Sequence, residues 1–333
     1  MITVLETSAL NTVQDLGRTG YRQFGVGTSG AMDPLAVEIG NVLLRNPPGA
    51  ACIEIQTYPF VIRFESACGF AVTGVDAALD LDGRPVLAWT AEQAAAGQVL
   101  TVGPPRGGAR AYLCVSGGLD VPVVLGSRST QLRGGFGGLS GRPLEAGDVL
   151  NVTGGPATSG YGALPPSVAL CRPCDIDDGG IVTLRAIPAT DFHLFTDASR
   201  ERFWDTAWRI TPQSDRVGYR LNGDPLRLQH PVELRSYGIV PGIIQVPPAG
   251  EPIVQMADAN TAGGYPRIAA VIEADLWRLA QARIGTRIRF ARCDHEQGVA
   301  AMQPVASYLG DLRRMVALYG ASARRRAPRT SGA

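Results

Sequence analysis

In the turn Gly126-Ser127-Arg128-Ser129-Thr130, hydroxyls and backbone N–H groups surround a guanidinium fork, a set suited to a carboxylate or a phosphate. Arg128, Ser129 and Thr130 are therefore predicted anion contacts; the alternative is a turn whose Arg128 pairs with a structural acid. Asp15 with Arg18, and Asp215 with Arg216, could hold a substrate carboxylate while an aspartate acts as base. The same units also suit structural ion pairs bracing tight turns. Their presence in both halves cuts both ways, because a scaffold element repeats whereas a single active site needs one copy. Thr261-Ala262-Gly263-Gly264-Tyr265-Pro266 is a glycine-hinged loop beside Asp258 and Asn260, and its paired glycines allow close backbone approach to a ligand. A bulge or corner would use the same residues. Ser29-Gly30, ahead of Asp33, supplies N–H groups at a positive helix end, which ordinary capping explains equally well.

Other chemistry is excluded by what the chain lacks. All 31 residues counted as Lys or Arg are arginine, so no biotinyl-lysine, Schiff-base lysine or P-loop lysine exists on this chain. A covalently carried cofactor must come from another chain. The histidines are His193, His230 and His295, and His295-Glu296 lacks the second histidine of a metalloprotease helix. Cys171 and Cys174 form a CxxC without a second pair, to be read as a zinc or redox motif or as a linker with two reduced thiols; no metal site is predicted. Gly135-Phe136-Gly137-Gly138-Leu139-Ser140 misses a dinucleotide fingerprint, and no GxSxG elbow occurs. These absences weaken any self-contained hydrolase. The net charge is +1, but Arg324, Arg325, Arg326 and Arg329 stand in a tail without acids; removing them leaves 27 basic against 30 acidic residues. A slightly acidic body makes nucleic acid a poor partner. With no basic N-terminal segment leading into an apolar run and no membrane-length apolar stretch, the expectation is a soluble, cytoplasmic protein with no membrane partner.

The elements that must position these residues are mainly strands. A chain of 333 residues with 45% hydrophobic and 18% charged residues holds about two domains, and Gly 41 plus Pro 24 favour many short strands and turns. Strands are predicted at 60–64, 70–72, 77–80, 99–102, 111–115 and 149–152, then at 181–186, 232–234, 243–246, 253–256 and 286–290. Asp33 is a good N-cap and Pro34 suits the first helical position, with Leu35, Ile39, Val42 and Leu43 on one face until Asn46-Pro47-Pro48-Gly49 stops the helix. Further helices are predicted at 273–283 and 305–319, the latter packing on its own domain or on a partner. The halves echo one another: Asp15-Leu16-Gly17-Arg18 with Asp215-Arg216-Val217-Gly218, Ile53-Glu54-Ile55 with Val232-Glu233-Leu234, and a Gly-turn-strand at the close of each. This favours two similar β domains, predicted as 1–155 and 181–295, with a linker at 156–180, a C-terminal helix at 296–320 and a disordered basic tail at 321–333.

These segments also resemble a known family. Thr12-Val13-Gln14-Asp15-Leu16-Gly17-Arg18 and Ser29-Gly30-Ala31-Met32-Asp33 are similar to the opening of the family of 5-oxoprolinase C subunits, also termed KipA-like or allophanate hydrolase subunit 2-like. The likeness continues through Arg110-Ala111-Tyr112-Leu113, Gly126–Thr130, Ser214–Leu221, Gly242–Pro247, Met256-Ala257-Asp258 and Gly263–Pro266, covering about Leu5 to Phe290. The run Asp258-Ala259-Asn260-Thr261-Ala262 departs from the family, which commonly has an arginine after that aspartate.

The resemblance implies two tandem cyclophilin-like β-barrel domains with a few helices. It implies one component of an ATP-dependent 5-oxoprolinase, opening 5-oxoproline to glutamate with a smaller KipI-like B subunit, plus a large A subunit. ATP with Mg would be used by the complex, with no covalent biotin on this chain. A lactam is a poor electrophile, so such a site needs arginines for phosphate charge, donors for an oxyanion and a carboxylate to steer protons. The chain is expected to be inactive alone and to share a site with a partner. In the family pattern Asp215 neighbours the Gln245 and Asp258 strands, so Asp215, Arg216 and Asp258 are the predicted catalytic residues. Arg128, Ser129, Thr130, Gln245, Thr261, Gly263, Gly264 and Tyr265 are the predicted substrate or anion contacts, with Asp15, Arg18, Ser29 and Asp33 as secondary candidates. The alternatives are a carboxyltransferase component of a biotin-dependent urea carboxylase or allophanate-related system, and a non-enzymatic KipA-like regulator that binds a kinase inhibitor.

Overall fold

The computed structural model describes residues 1–155, 159–172, 175, 176 and 179–326. It is a mostly β protein built as two successive β halves. In the first, a seven-stranded sheet runs Leu119–Asp120, Val149–Val152, Ile2–Glu6, Phe60–Phe64, Val99–Gly107, Asp76–Leu81, Arg84–Val86. A six-stranded sheet runs Tyr161–Gly162, Thr90–Ala94, Cys68–Thr73, Ala111–Val115, Cys52–Ile55, Thr12–Gln14. Alternation in Phe60–Phe64 buries Phe60, Ile62 and Phe64 in the core they share with Phe70, Leu100 and Leu113. Cys68–Thr73 and Ala111–Val115 are buried at every position because their second face is also covered. That cover is helix α1, Pro34–Leu43, in which the Asp33 side chain accepts from the Ala36 N–H at 3.0 Å. α1 lies so close to the sheet that a Cβ on Gly40 would meet Cys114 Sγ at 2.5 Å.

The second half is a closed seven-stranded barrel: Val182–Pro188, Arg267–Val271, Ile243–Gln245, Ile253–Gln255, Gly218–Asn222, Trp208–Ile210, Arg287–Arg292. The first and last strands pair in parallel and close it. Leu184, Trp208, Leu221, Ile244, Val254 and Phe290 fill its interior. After the short helix α2, Pro166–Ala169, helix α3, Asp197–Asp205, stacks Phe203 on Phe290 with ring centroids 4.9 Å apart. Helix α4, Glu273–Ala280, faces the first half, and α5, His295–Ala300, opens with an Asp294/Gln297 capping box.

Several sequence expectations shift. Residues 232–234 form no strand: Pro231 removes a ladder donor, and the segment pairs with nothing among the described residues. The echo with Cys52–Ile55 is thus a likeness of sequence, not of pairing. Tyr161–Gly162, within the predicted linker, adds a strand to the six-stranded sheet, and its Tyr161 hydroxyl donates to the Leu43 carbonyl at 2.6 Å. The single helix expected at 296–320 is instead α5 followed by the C-terminal helix α6, Met302–Arg326, which runs past residue 320 into the expected tail at 321–333. It returns across the molecule to place Leu309, Leu312 and Val316 in one apolar cluster with Leu35, Ile39 and Leu43 of α1, so it packs on the first half of its own chain. Cys174 and residues 327–333 lie outside the described residues, so the CxxC and the rest of the tail are not described.

Candidate functional site

The halves meet across a buried ionic cluster. Glu54, an acid inside the otherwise apolar strand Cys52–Ile55, is fully buried; it accepts from Tyr112 OH at 2.9 Å, the Met32 N–H at 2.8 Å and Arg216 Nη1. Arg216 enters from the loop ahead of Gly218–Asn222. Its Nε and Nη2 donate to Asp258 Oδ2 and Oδ1 at 2.8 and 3.2 Å, and Nη2 also donates to the Gly30 carbonyl at 2.6 Å. Burial alone would lower the Arg216 pKa, but Glu54 and Asp258 more than offset that, and the guanidinium is held above its ordinary value.

Beside this cluster Arg110 Nη1 donates to Tyr219 OH and to the Ala280 carbonyl, each at 2.6 Å. Gln281, just past α4, clamps the Arg110 backbone. Its Oε1 accepts from the N–H groups of Ala109 and Arg110 at 2.9 and 3.0 Å, and its Nε2 donates to Asp33 Oδ2 at 2.8 Å and to the Arg110 carbonyl at 3.1 Å. Gly74 and Gly108 leave room for this clamp: at positive φ, their Cβ atoms would come within 3.2 and 3.1 Å of the Gln281 amide. Burial raises the Asp33 pKa to about 6, against the opposing Gln281 hydrogen bond.

A cleft of about 660 Å³ opens over the seam. Arg110, Arg216, Tyr219 and Asp258 line it, Tyr58 forms part of its wall, and the exposed Asp215, Arg133 and Arg283 stand around it. The three predicted catalytic residues thus share one cleft, but not as the sequence pairs them. Asp215 does not pair with Arg216: its Oδ1 accepts from the N–H groups of Val217 and Gly218 at 2.8 and 3.1 Å and shapes its own turn. The guanidinium belongs to Asp258 and Glu54 instead. Arg216 positions Asp258, which remains the partly exposed carboxylate of the cleft.

The anion turn is folded onto Asp15. That carboxylate accepts from Ser127 Oγ at 2.7 Å, Ser129 Oγ, and the N–H groups of Arg128 and Gly17 at 2.6 and 2.7 Å. Thr130 Oγ1 donates to the Val13 carbonyl at 2.9 Å, and Arg128 turns outward to Asp120 at 3.4 Å. Arg18 is buried beneath the Phe136 ring, 4.9 Å from its centroid, and donates Nη2 to the Ser129 carbonyl rather than to Asp15. Burial pulls its pKa down against the fields of Asp15 and Asp258.

Gln245 is buried in the barrel, donating to the Tyr265 carbonyl at 3.2 Å and accepting from Gln255 at 3.1 Å. Gly263 is packed against Ile239 and Gln245, in a short ribbon with Tyr237–Gly238. Neither Gln245 nor the stretch from Thr261 to Tyr265 lines the cleft. Asp33 lines a larger cavity of about 1040 Å³, and Ser29 a third of about 420 Å³. Glu54, Arg110, Tyr219 and Gln281 were not among the predicted site residues. The signal for Glu54 was present, as a charge at a central position of a strand with no polar face. Gln281 carried none. Among the described residues no three His, Cys, Asp or Glu side chains stand close enough to hold a metal ion. Arg216 is already engaged by Glu54 and Asp258, while Arg133 and Arg283 stand exposed beside the cleft. No described helix is long and apolar enough to cross a membrane.

Residues 24–292 match the family model described as carboxyltransferase domain, subdomain A and B. The chain is 39% identical to the 5-oxoprolinase C subunit of Haemophilus influenzae over 316 residues, covering 95% of this chain and 99% of that protein. It is likewise 39% identical to the 5-oxoprolinase C subunit of Escherichia coli over 320 residues, covering 94% and 97%. Among solved structures, the Kluyveromyces lactis urea carboxylase superposes with a TM-score of 0.83 at 27% identity, covering 93% of this chain and 29% of that one.

Proposed function

The chain belongs to the carboxyltransferase-domain family, subdomains A and B, and on that premise we propose that it acts as one component of a 5-oxoprolinase complex, contributing the seam cleft to the ring opening of 5-oxoproline to glutamate. The observation that carries this reading is the alignment with the Haemophilus C subunit, which runs along 99% of that protein at 39% identity. The geometry supports it in kind. A carboxylate anchored by a buried guanidinium, Asp258 on Arg216, is held at a fixed place in the cleft, where it can orient a substrate group or water by accepting a hydrogen bond. Arg133 and Arg283 beside the cleft give a cationic approach for the substrate carboxylate. Nucleotide handling is assigned to a partner chain, because this one has no lysine and its described residues bring together no cluster of acids for a metal ion. The site is accordingly shared, and the chain alone does not turn over.

The test is reconstitution. This chain, a smaller KipI-like partner and the large third component are mixed in all combinations, and glutamate release from 5-oxoproline is followed with and without ATP. Glutamate is expected only from the complete set with ATP, and Asp258→Asn in this chain should abolish most of it. Turnover by this chain alone, or by the other two without it, would refute the proposal. The fold match to urea carboxylase supports a second reading, a carboxyltransferase half serving a biotin carrier in trans. Binding of a carboxybiotin analogue by the reconstituted protein, without glutamate release, would favour it.

A further inference from the structure

The third cavity, about 420 Å³, lies on the other side of the Met256–Asp258 segment from the seam cleft: Met256 and Ala257 line it, whereas Asp258 lines the cleft. It is enclosed by the loop ahead of α1, by α1 itself, by α4 and by the start of α6. Its walls are apolar, chiefly Met32, Leu35, Leu276, Trp277 and Val305. Its size falls in the range of small-molecule pockets, about 300–1,000 Å³.

One part of this wall is polar and unsatisfied. Ser29 is 6% exposed, and its Oγ has no hydrogen-bond partner among the described residues. Arg22 donates Nη1 to Thr28 Oγ1 at 3.0 Å, while its Nη2 is buried and equally unpartnered. Burial lowers the Arg22 pKa, and no described acid forms an ion pair with it. The acids of the cavity are otherwise placed: Glu38 pairs with Arg313 at 3.3 Å, and Glu273 is exposed at the first turn of α4. Buried donors without acceptors cost free energy, and a ligand that satisfies them recovers it.

We propose that this cavity binds a small organic anion, a carboxylate on an apolar body, with the carboxylate on Arg22 and Ser29 and the body against Trp277, Met32 and Leu276. Both requirements must be met together. Inorganic anions would leave the apolar wall unfilled, and neutral apolar molecules would leave the guanidinium and hydroxyl unpaired.

The full-length protein is titrated calorimetrically at neutral pH with 3-phenylpropionate and with its alcohol, 3-phenylpropan-1-ol. The carboxylate is expected to bind at least about tenfold more tightly, as a charge-assisted hydrogen bond confers. Arg22→Met should reduce the carboxylate to the affinity of the alcohol and leave the alcohol unchanged. Ser29→Ala should weaken the carboxylate severalfold while leaving the melting temperature unchanged or higher, since it removes an unsatisfied buried hydroxyl; this variant stands as the test should Arg22→Met not fold. Equal binding of the two compounds, no binding of either, or an undiminished carboxylate preference in a folded variant would overturn the proposal.

Discussion

Replacing Glu54 by glutamine is expected to destabilise the protein by about 3 kcal/mol, the lower end of what removing one partner of a buried ion pair costs. Glu54 is 0% exposed and Arg216 5%, so neither charge can be rehydrated in place. Glutamine keeps an acceptor for Tyr112 OH and the Met32 N–H, which limits the loss. It turns an amide toward Arg216 and withdraws the carboxylate that also lies 4.0 Å from Arg110 Nε. At roughly 1.4 °C per kcal/mol for a chain of 333 residues, the melting temperature should fall by about 4 °C. The decisive assay is a double-mutant cycle on melting and urea unfolding. With Arg216→Met added, the guanidinium that needed Glu54 is gone, and Asp258 can draw on water in the cleft. The double variant should therefore be more stable than the sum of the single losses predicts, by at least about 2 kcal/mol. A loss below about 1 kcal/mol for Glu54→Gln, or strict additivity, would refute the view that this cluster holds the halves together.

Asp33 has its carboxyl raised to about 6 by burial, so its contribution to stability is fully present below the unfolded value near 3.8 and is lost as the pH rises through 6. The swing is about 3 kcal/mol; Asp33→Asn, which can still cap α1, should flatten the melting temperature between pH 4 and 7 relative to the parent. Gln281→Ala leaves the Ala109 and Arg110 N–H groups without their acceptor and should cost about 2–4 kcal/mol. In the reconstituted complex it should also lower kcat, by freeing Arg110 from Tyr219, whereas Gln281→Glu should restore the backbone contacts but bring a second acid to Asp33 and move the pH profile. Gly40→Ala gains helix propensity of about 1 kcal/mol, yet its methyl would meet Cys114 Sγ at 2.5 Å, so unfolding measurements should show net destabilisation of about 1–3 kcal/mol.

Much of the scaffold was legible because its causes are local. The Asp33-Pro34 start of α1 follows from a cap and a fixed φ, and the helix from Glu273 follows from apolar spacing, although it stops at Ala280 with Gln281 as its cap, short of the expected end at 283. Strand alternation over residues 60–64 was equally plain. The failures also have physical reasons. Residues 232–234 had strand-like composition but no neighbour to pair with, and a strand exists only through its ladder. The Gly126–Thr130 turn reads as a ligand cradle, yet the Ser127 and Ser129 hydroxyls and the Arg128 N–H converge on Asp15, more than 110 residues away in the chain.

The sequence by itself determined the inventory: no amine side chain, a duplicated β pattern, a capped helix between the markers of the first copy, and charged residues concentrated near turns. Only the tertiary structure decided which charges meet. Neighbours along a chain diverge, so Asp215 caps its own turn while Arg216 turns inward to Glu54, 162 positions earlier. A guanidinium buried at a seam must find counter-charge from whatever surface docks against it, and that docking is settled by the packing of whole halves, which no short window of residues contains.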